Sequence, residues 1–160
     1  MQCVMVSDHD VSTLERARNN HETTLENLLD TTCTTEDDLN ATINSVGSIP
    51  LCFESLEWGN SQDLRLVQDA IAEHSVPRQR HADLILGSDV IYDTSVVEPL
   101  LRTVQALLGG NGRFLLAQSF AFDQETEVEM DRCCEEMGLK RTIVLDEQEG
   151  DHRIQEFCCV

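Results

Sequence analysis

The stretch Ala82-Asp83-Leu84-Ile85-Leu86-Gly87-Ser88-Asp89-Val90-Ile91-Tyr92 decides how this chain is read. Its first six residues are almost continuously apolar, the pattern of a strand buried on both faces of a parallel sheet. The run breaks into the polar turn Ser88-Asp89, and soon a helical period takes over, with Val97, Leu100, Leu101, Val104 and Leu108 on one face. Ser95 and Glu98 have the spacing of a capping box for that helix. Pro99 falls near the first turn, where a missing N–H costs least. The glycines of Gly109-Gly110-Asn111-Gly112 stop the helix and turn the chain into a second strand over 113–118. Strand, helix and strand in that order make a βαβ unit.

The same alternation extends in both directions. Upstream, Cys3-Val4-Met5-Val6 reads as a short buried strand entering the loop Ser7-Asp8-His9-Asp10. Helical periodicity follows through Val11, Leu14, Ala17, His21, Leu25 and Leu28, with Asp10 or Ser12 as its cap. Residues 31–49 are rich in Thr, Asn and acids and read as a flexible surface insertion. An extended segment over 50–56 then runs into Glu57-Trp58-Gly59 and a helix carrying Leu64, Val67 and Ile71. Downstream, an amphipathic helix over 125–137 ends at Gly138, and two extended segments, 140–145 and 153–159, close the chain as an antiparallel hairpin. The predicted class is α/β: a Rossmann-like, mainly parallel sheet with helices on both faces and a C-terminal antiparallel hairpin, in a single domain over 1–160.

Composition narrows the function classes. Hydrophobic residues make up 41% of the 160 residues, enough for one sizeable core. No apolar run approaches the ~20 residues that span a membrane, and the N-terminus lacks the basic start of a signal peptide. A soluble intracellular protein is expected, in the cytoplasm or alternatively the nucleus. Thirty acidic against eleven basic residues give a net charge of −19, which repels phosphate backbones and either simply keeps the domain soluble or steers a basic protein toward the surface. The seven cysteines show no Cys-x-x-Cys spacing. Cys133 and Cys134 share a helical stripe with Met130 and Met137, which reads as core, and no metal site is expected.

In open α/β sheets ligands collect at the carboxyl ends of the strands. Asp8, after the first strand, has the chemistry to accept hydrogen bonds from both hydroxyls of a ribose, although a local helix-capping role suits this acidic turn as well. Trp58, the only tryptophan, offers a flat indole for an adenine, against the commoner fate of a core side chain. Asp89 and Tyr92 follow the deciding strand, where a carboxylate and a phenol either orient an incoming amine or brace the turn. Ser88 and Ser119 show no nucleophile-elbow pattern.

Taken in order, Ser7-Asp8, Leu56-Glu57-Trp58-Gly59 and Asp89-Val90-Ile91-Tyr92 resemble three strand-end motifs of the class I, seven-strand S-adenosylmethionine-dependent methyltransferases, and specifically the protein-lysine group called methyltransferase family 16. The resemblance implies S-adenosylmethionine as cofactor, with Asp8 on its ribose, Trp58 on its adenosine portion and Ser88 close by. Asp89 and Tyr92 would flank the lysine channel. It also implies that the family's first strand and its Gly-rich motif are missing, since no Gly-x-Gly precedes Asp8. That strand lies between the family's second and fourth strands, which must otherwise pair directly or leave backbone groups unpaired. Lysine N-methylation of a protein is the expected function of the family. A non-catalytic, partner-binding fragment is the competing reading. A dinucleotide oxidoreductase is disfavoured by the absent Gly-x-Gly-x-x-Gly.

Overall fold

The computed structural model describes residues 4–8, 10–32, 51–75, 79–147 and 152–160. Most of the predicted 31–49 insertion lies outside them. Chain contacts divide the molecule into two units, one of Met1–Glu57 with Arg65–Gln79 and the other of Trp58–Leu64 with Arg80–Val160.

The first unit holds strand β1 (Val4–Asp8), helix α1 (Val11–Thr32) and strand β2 (Leu51–Ser55). β1 and β2 pair in parallel, from Val4 opposite Leu51 to Asp8 opposite Ser55. The acidic loop after β1 starts the helix as the residue types require. Asp10 caps α1: its carboxylate accepts the Ser12 N–H at 2.9 Å and the Ser12 and Thr13 hydroxyls, and its carbonyl accepts the Leu14 N–H. Leu14 is buried, and Arg18 lies over the Phe53 ring at 5.3 Å from its centroid. Helix α2 (Ser61–His74) buries Val67 and Ile71, two of its three predicted core positions.

The second unit is built on strands β3 (Ala82–Ser88), β4 (Leu108–Gln118), β5 (Leu139–Glu147) and β6 (His152–Cys159), in the order β3-β4-β6-β5. β3 and β4 are parallel, and β6 runs antiparallel to both β4 and β5, so the terminal hairpin inserts its second strand next to β4. Helices α3 (Val97–Leu107) and α4 (Gln124–Met137) pack against this sheet and each other. Their core is the predicted one: Val97, Leu100, Leu101, Val104 and Leu108 meet Phe114 and Leu116 of β4, Phe157 of β6, and the Met130-Cys133-Cys134-Met137 stripe. Phe114 and Phe157 face each other across the strand pair with centroids 5.4 Å apart. Burial raises both the Cys133 and Cys134 thiols to about 11, which keeps them protonated and inert.

Ion pairs fasten the hairpin to α4. Glu127 reaches Arg141 on β5 at 2.5 Å and Arg153 on β6 at 2.6 Å, while Asp131 takes the other side of the Arg141 guanidinium at 2.8 Å. Arg141 also donates to the buried Gln155, which in turn bonds Gln118.

Three local expectations change. The α3 start is not a Ser95–Glu98 capping box. Asp93 instead caps a preceding 3-10 turn, Thr94–Val96, by accepting the Ser95 N–H at 2.8 Å, and Val96 enters the helix with no side-chain cap. The strand over 113–118 begins earlier, at Leu108, and the glycines form an irregularity within it: Ala82 pairs with Leu108 but Leu84 with Arg113. The third change concerns β3, which is not buried. It stands at one end of the four-stranded sheet, and Leu84 and Leu86, on the face opposite Ile85, are 48% and 71% exposed.

Gly112 is where β4 needs glycine. A Cβ there would stand 2.7 Å from the Ala82 carbonyl oxygen and 2.9 Å from Leu108 Cδ2, whereas a Cβ on Gly110 would meet nothing within 4 Å. Gly112→Ala is therefore expected to cost about 1–3 kcal/mol of unfolding free energy by overpacking. Gly110→Ala should cost much less. Urea denaturation of the two variants beside the parent checks the contrast.

Candidate functional site

The residues worth weighing sit at strand ends, and each unit holds its own. In the first unit Asp8 is the last residue of β1, half-buried. Its carboxylate accepts the Asp10 N–H at 2.9 Å, and its carbonyl accepts the Leu56 N–H at 3.0 Å. The capping duty belongs to Asp10, which leaves Asp8 as the acid that turns the chain out of the sheet. Its pairing with Ser55 sets the end of β1 beside the end of β2.

In the second unit Trp58 is half-buried and packs against the core, as do Val90 and Ile85. The turn that carries it is pinned. Gly59 has φ +83°, a conformation that favours glycine, and donates its N–H to Thr103 Oγ1 at 2.9 Å. Thr103 passes its own proton to the Pro99 carbonyl at 2.8 Å, so the turn is bolted to the first half of α3. Asn60 then caps α2 by accepting the Gln62 N–H at 2.9 Å. Thr103 was invisible as a functional residue in the sequence, where it reads as one polar position on an apolar helix.

Ser88, Asp89 and Tyr92 gather at the carboxyl end of β3. Asp89 is the one non-glycine among the described residues with positive φ, at 51°. Asp and Asn tolerate this left-handed region better than most side chains, though at some cost in strain. The conformation is held from two sides. The Asp89 N–H donates to the Ala117 carbonyl at 2.9 Å, and Asp89 Oδ1 accepts the Ser119 N–H at 2.7 Å and the Ser119 hydroxyl at 2.9 Å. The parallel register explains the partnership: Ser88 stands opposite Ala117, so the chains leave β3 and β4 side by side. Ser119 is the residue that sequence reasoning passed over, because its signal lies in the pairing of two strands and in no local motif.

The Ser119 N–H, then its hydroxyl, hold the Asp89 carboxyl below the ordinary range despite some desolvation, and the Ser88 hydroxyl and the charge of His152 add to the lowering. The group is an ionised carboxylate throughout the neutral range. Tyr92 is 74% exposed and takes no part in the core. The site thus presents an oriented anion with a hydroxyl on each side and a phenol open to solvent. A separate hollow of about 480 Å³ lies between Thr94 and the first turns of α4, lined also by Gln124, Glu125, Val128 and Glu129, and touches none of the five predicted site residues. Among the described residues no group of three or more His, Cys, Asp or Glu could hold a metal ion, and no helix is long and apolar enough to cross a membrane.

Comparison with known proteins follows these strand ends. Residues 38–128, more than half of the chain, match a family model described as lysine methyltransferase. The matched span contains Trp58, Ser88, Asp89 and Tyr92, and Asp8 lies upstream of it. No curated protein matches the chain in sequence. Among solved structures, the Methanococcus jannaschii fibrillarin pre-rRNA processing protein is similar with a TM-score of 0.52 and 13% identity, over 98% of this chain and 56% of that one. The S-adenosylmethionine-dependent methyltransferase SibL in its apo form is similar with a TM-score of 0.50 and 15% identity, over 98% of this chain and 43% of that one. At these identities the likeness is one of fold, and the chain spans about half the length of either structure.

A carboxyl with a depressed folded-state pKa contributes stability that is present above its unfolded value, near 3.8, and is lost as pH falls through the folded value. Ser119→Ala removes the hydroxyl and keeps the backbone N–H, the larger of the two causes. The Asp89 pKa is therefore expected to rise only part of the way toward 3.8 in this variant, with Ser119→Thr holding it near the parent value. Carbon-detected NMR titration of the Asp89 carboxyl reads the shift.

Proposed function

The chain belongs to the lysine methyltransferase family, and from that membership we propose that it serves S-adenosylmethionine-dependent methyl transfer to the side-chain amine of a protein lysine. The observation that supports the reading most is the Asp89 carboxylate, fixed by Ser119 at the strand rim inside the matched span.

The side chains offered to the cofactor fit the nucleoside half of S-adenosylmethionine. Asp8 of the first unit provides a carboxylate acceptor for ribose hydroxyls; Trp58 and Ser88 of the second provide a flat apolar ring for adenine and a small polar side chain. When bound, S-adenosylmethionine supplies an electrophilic methyl group on a sulfonium, which a neutral amine takes by direct displacement. The protein's share is to attract, orient and shield. The Asp89 carboxylate would draw a lysine ammonium by charge. Once the ammonium has lost its proton to solvent, the carboxylate would accept a hydrogen bond from the neutral amine and hold its nitrogen in place, the sulfonium leaving as the neutral thioether when the methyl is taken. The Ser119 bonds keep that carboxylate from swinging away. Tyr92, with its phenol exposed, walls the approach of the lysine stem. Such a displacement depends on alignment and exclusion of water more than on a strong base, and no general base is assigned. The net charge of −19 favours a basic protein as the methyl acceptor.

Calorimetric titration of S-adenosylmethionine into the 160-residue chain tests the cofactor half of the proposal. Binding is expected, weakened by about tenfold or more in Asp8→Ala, as for loss of a hydrogen bond to a charged group. Absence of heat in the parent chain would assign these residues to a non-catalytic, partner-binding fragment instead. Transfer of a labelled methyl group to a lysine-rich peptide, and none to the same peptide with arginine for lysine, tests the acceptor half. Asp89→Ala is expected to lower that transfer while leaving cofactor affinity unchanged.

A further inference from the structure

Six of the chain's aromatic residues lie in the second unit, and they divide by where they pack. Phe114 and Phe157 are in its core, and Trp58 and Phe122 rest against it. Tyr92 and Phe120 do neither, and are 74% and 39% exposed. One ring left out of a core is ordinary, but these two share a place. Tyr92 stands in the loop that leaves β3, three residues after Asp89, and Phe120 directly follows Ser119 in the loop that leaves β4. The two bonds from Ser119 to Asp89 Oδ1, at 2.7 and 2.9 Å, tie those loops together. Each aromatic hangs on one half of the same clasp. Neither loop is loose there. Ile91 is 2% exposed and Val90 packs against the core, so the chain just before Tyr92 is anchored. Phe120 meets Phe122 nearly edge to face, with ring centroids 6.1 Å apart and planes at 75°, and Phe122 rests on the core. Asp123 then caps α4 by accepting the Thr126 N–H at 2.8 Å. The Phe120 ring is therefore braced one residue from the bonds that fix the carboxylate.

A carboxylate and an aromatic ring select among ammonium ions in opposite ways. The carboxylate alone favours an ammonium with all its N–H donors, because each methyl group on the nitrogen removes a hydrogen bond and adds apolar surface. The ring attracts the charge through its quadrupole and takes the methyl groups in contact, the arrangement that recognises methylated and quaternary ammonium groups. We propose that Phe120 and Tyr92 make the Asp89 rim a site for a methylated ammonium, so that a lysine side chain already carrying methyl groups is held more firmly than lysine itself. Phe120 is the specificity-determining residue, because its ring is braced where Asp89 is fixed. Tyr92 adds a second ring from the β3 loop. The inference rests on the reading of Asp89 as the group that faces the methyl acceptor, and it concerns which methylation states of that acceptor the site takes.

The test uses the full 160-residue chain and a short peptide with a single lysine, prepared unmodified, monomethylated, dimethylated and trimethylated, and with norleucine in its place. Affinities are read by NMR from the ring resonances of Tyr92, the chain's one tyrosine, and need neither cofactor nor turnover. The trimethylated peptide is expected to bind about two- to fivefold more tightly than the unmodified one. The other two should fall between, and the neutral norleucine peptide should not bind. Phe120→Leu should erase the ratio and Phe120→Tyr should keep it, with the Asp89 carboxyl resonance showing in both that the clasp is intact. Affinity that falls with each methyl group would overturn the proposal, as would no binding by any peptide or an unchanged ratio in Phe120→Leu. A methyl-state preference without transfer of a labelled methyl group would sink the methyl-transfer reading alone. Transfer to the unmodified peptide, with affinity falling at each methyl group, would sink this inference alone.

Discussion

The register between β3 and β4 is the constraint on which the candidate site rests. Five consecutive pairs, Leu84 with Arg113 through Ser88 with Ala117, bring two chain exits to the same rim. One exit carries Asp89 and the other Ser119, and the two bonds to the carboxylate follow from that neighbourhood. A slip of one residue would turn every side chain of β3 to the opposite face and part the acid from its hydroxyl. What holds the register is the packing behind it. Phe114, Leu116 and Phe157 are locked under α3 and α4, and Gly112 alone is small enough to let β4 pass the Ala82 carbonyl.

The same packing explains why the rim can carry a strained residue. Asp89 at φ 51° costs conformational free energy that an isolated turn would not bear. Here the backbone N–H is tied to Ala117 and the side chain to Ser119, so the neighbouring strand over-determines the geometry. Within α3, Thr103 performs a similar service for the Trp58 turn through Gly59. α3 therefore serves as a spine for the second unit, with its apolar face in the core and one threonine holding a strand-end turn.

How much was legible in advance follows from the range of the interactions involved. Helical faces come from periodicity within one segment, and α3 and α4 bury the positions the pattern marks. Asp10, Asp123 and Gly138 act at helix ends within a few residues of their own place in the chain, and side-chain type alone predicts such roles. Asp93 outcompeted Ser95 as a cap because a 3-10 turn precedes α3, a local conformational choice that residue types do not resolve. β3 shows a deeper limit. Its continuous apolar run predicts burial on both faces, but a run says only what neighbours a strand would accept. Whether they are there depends on the rest of the sheet.

By themselves, the residues determined the α/β class, the helix faces, the caps at short range and the identity of the strand-end motifs, because each of these depends on side chains close together along the chain. The tertiary structure decided that Ser119 grips Asp89, that Thr103 secures the Trp58 turn, that Glu127 joins Arg141 to Arg153, and that β3 stands beside β4 at one end of the four-stranded sheet. Each of those pairs residues far apart in the chain, or turns on where a strand falls in the sheet order. Nothing in a linear pattern states which strand will lie beside which.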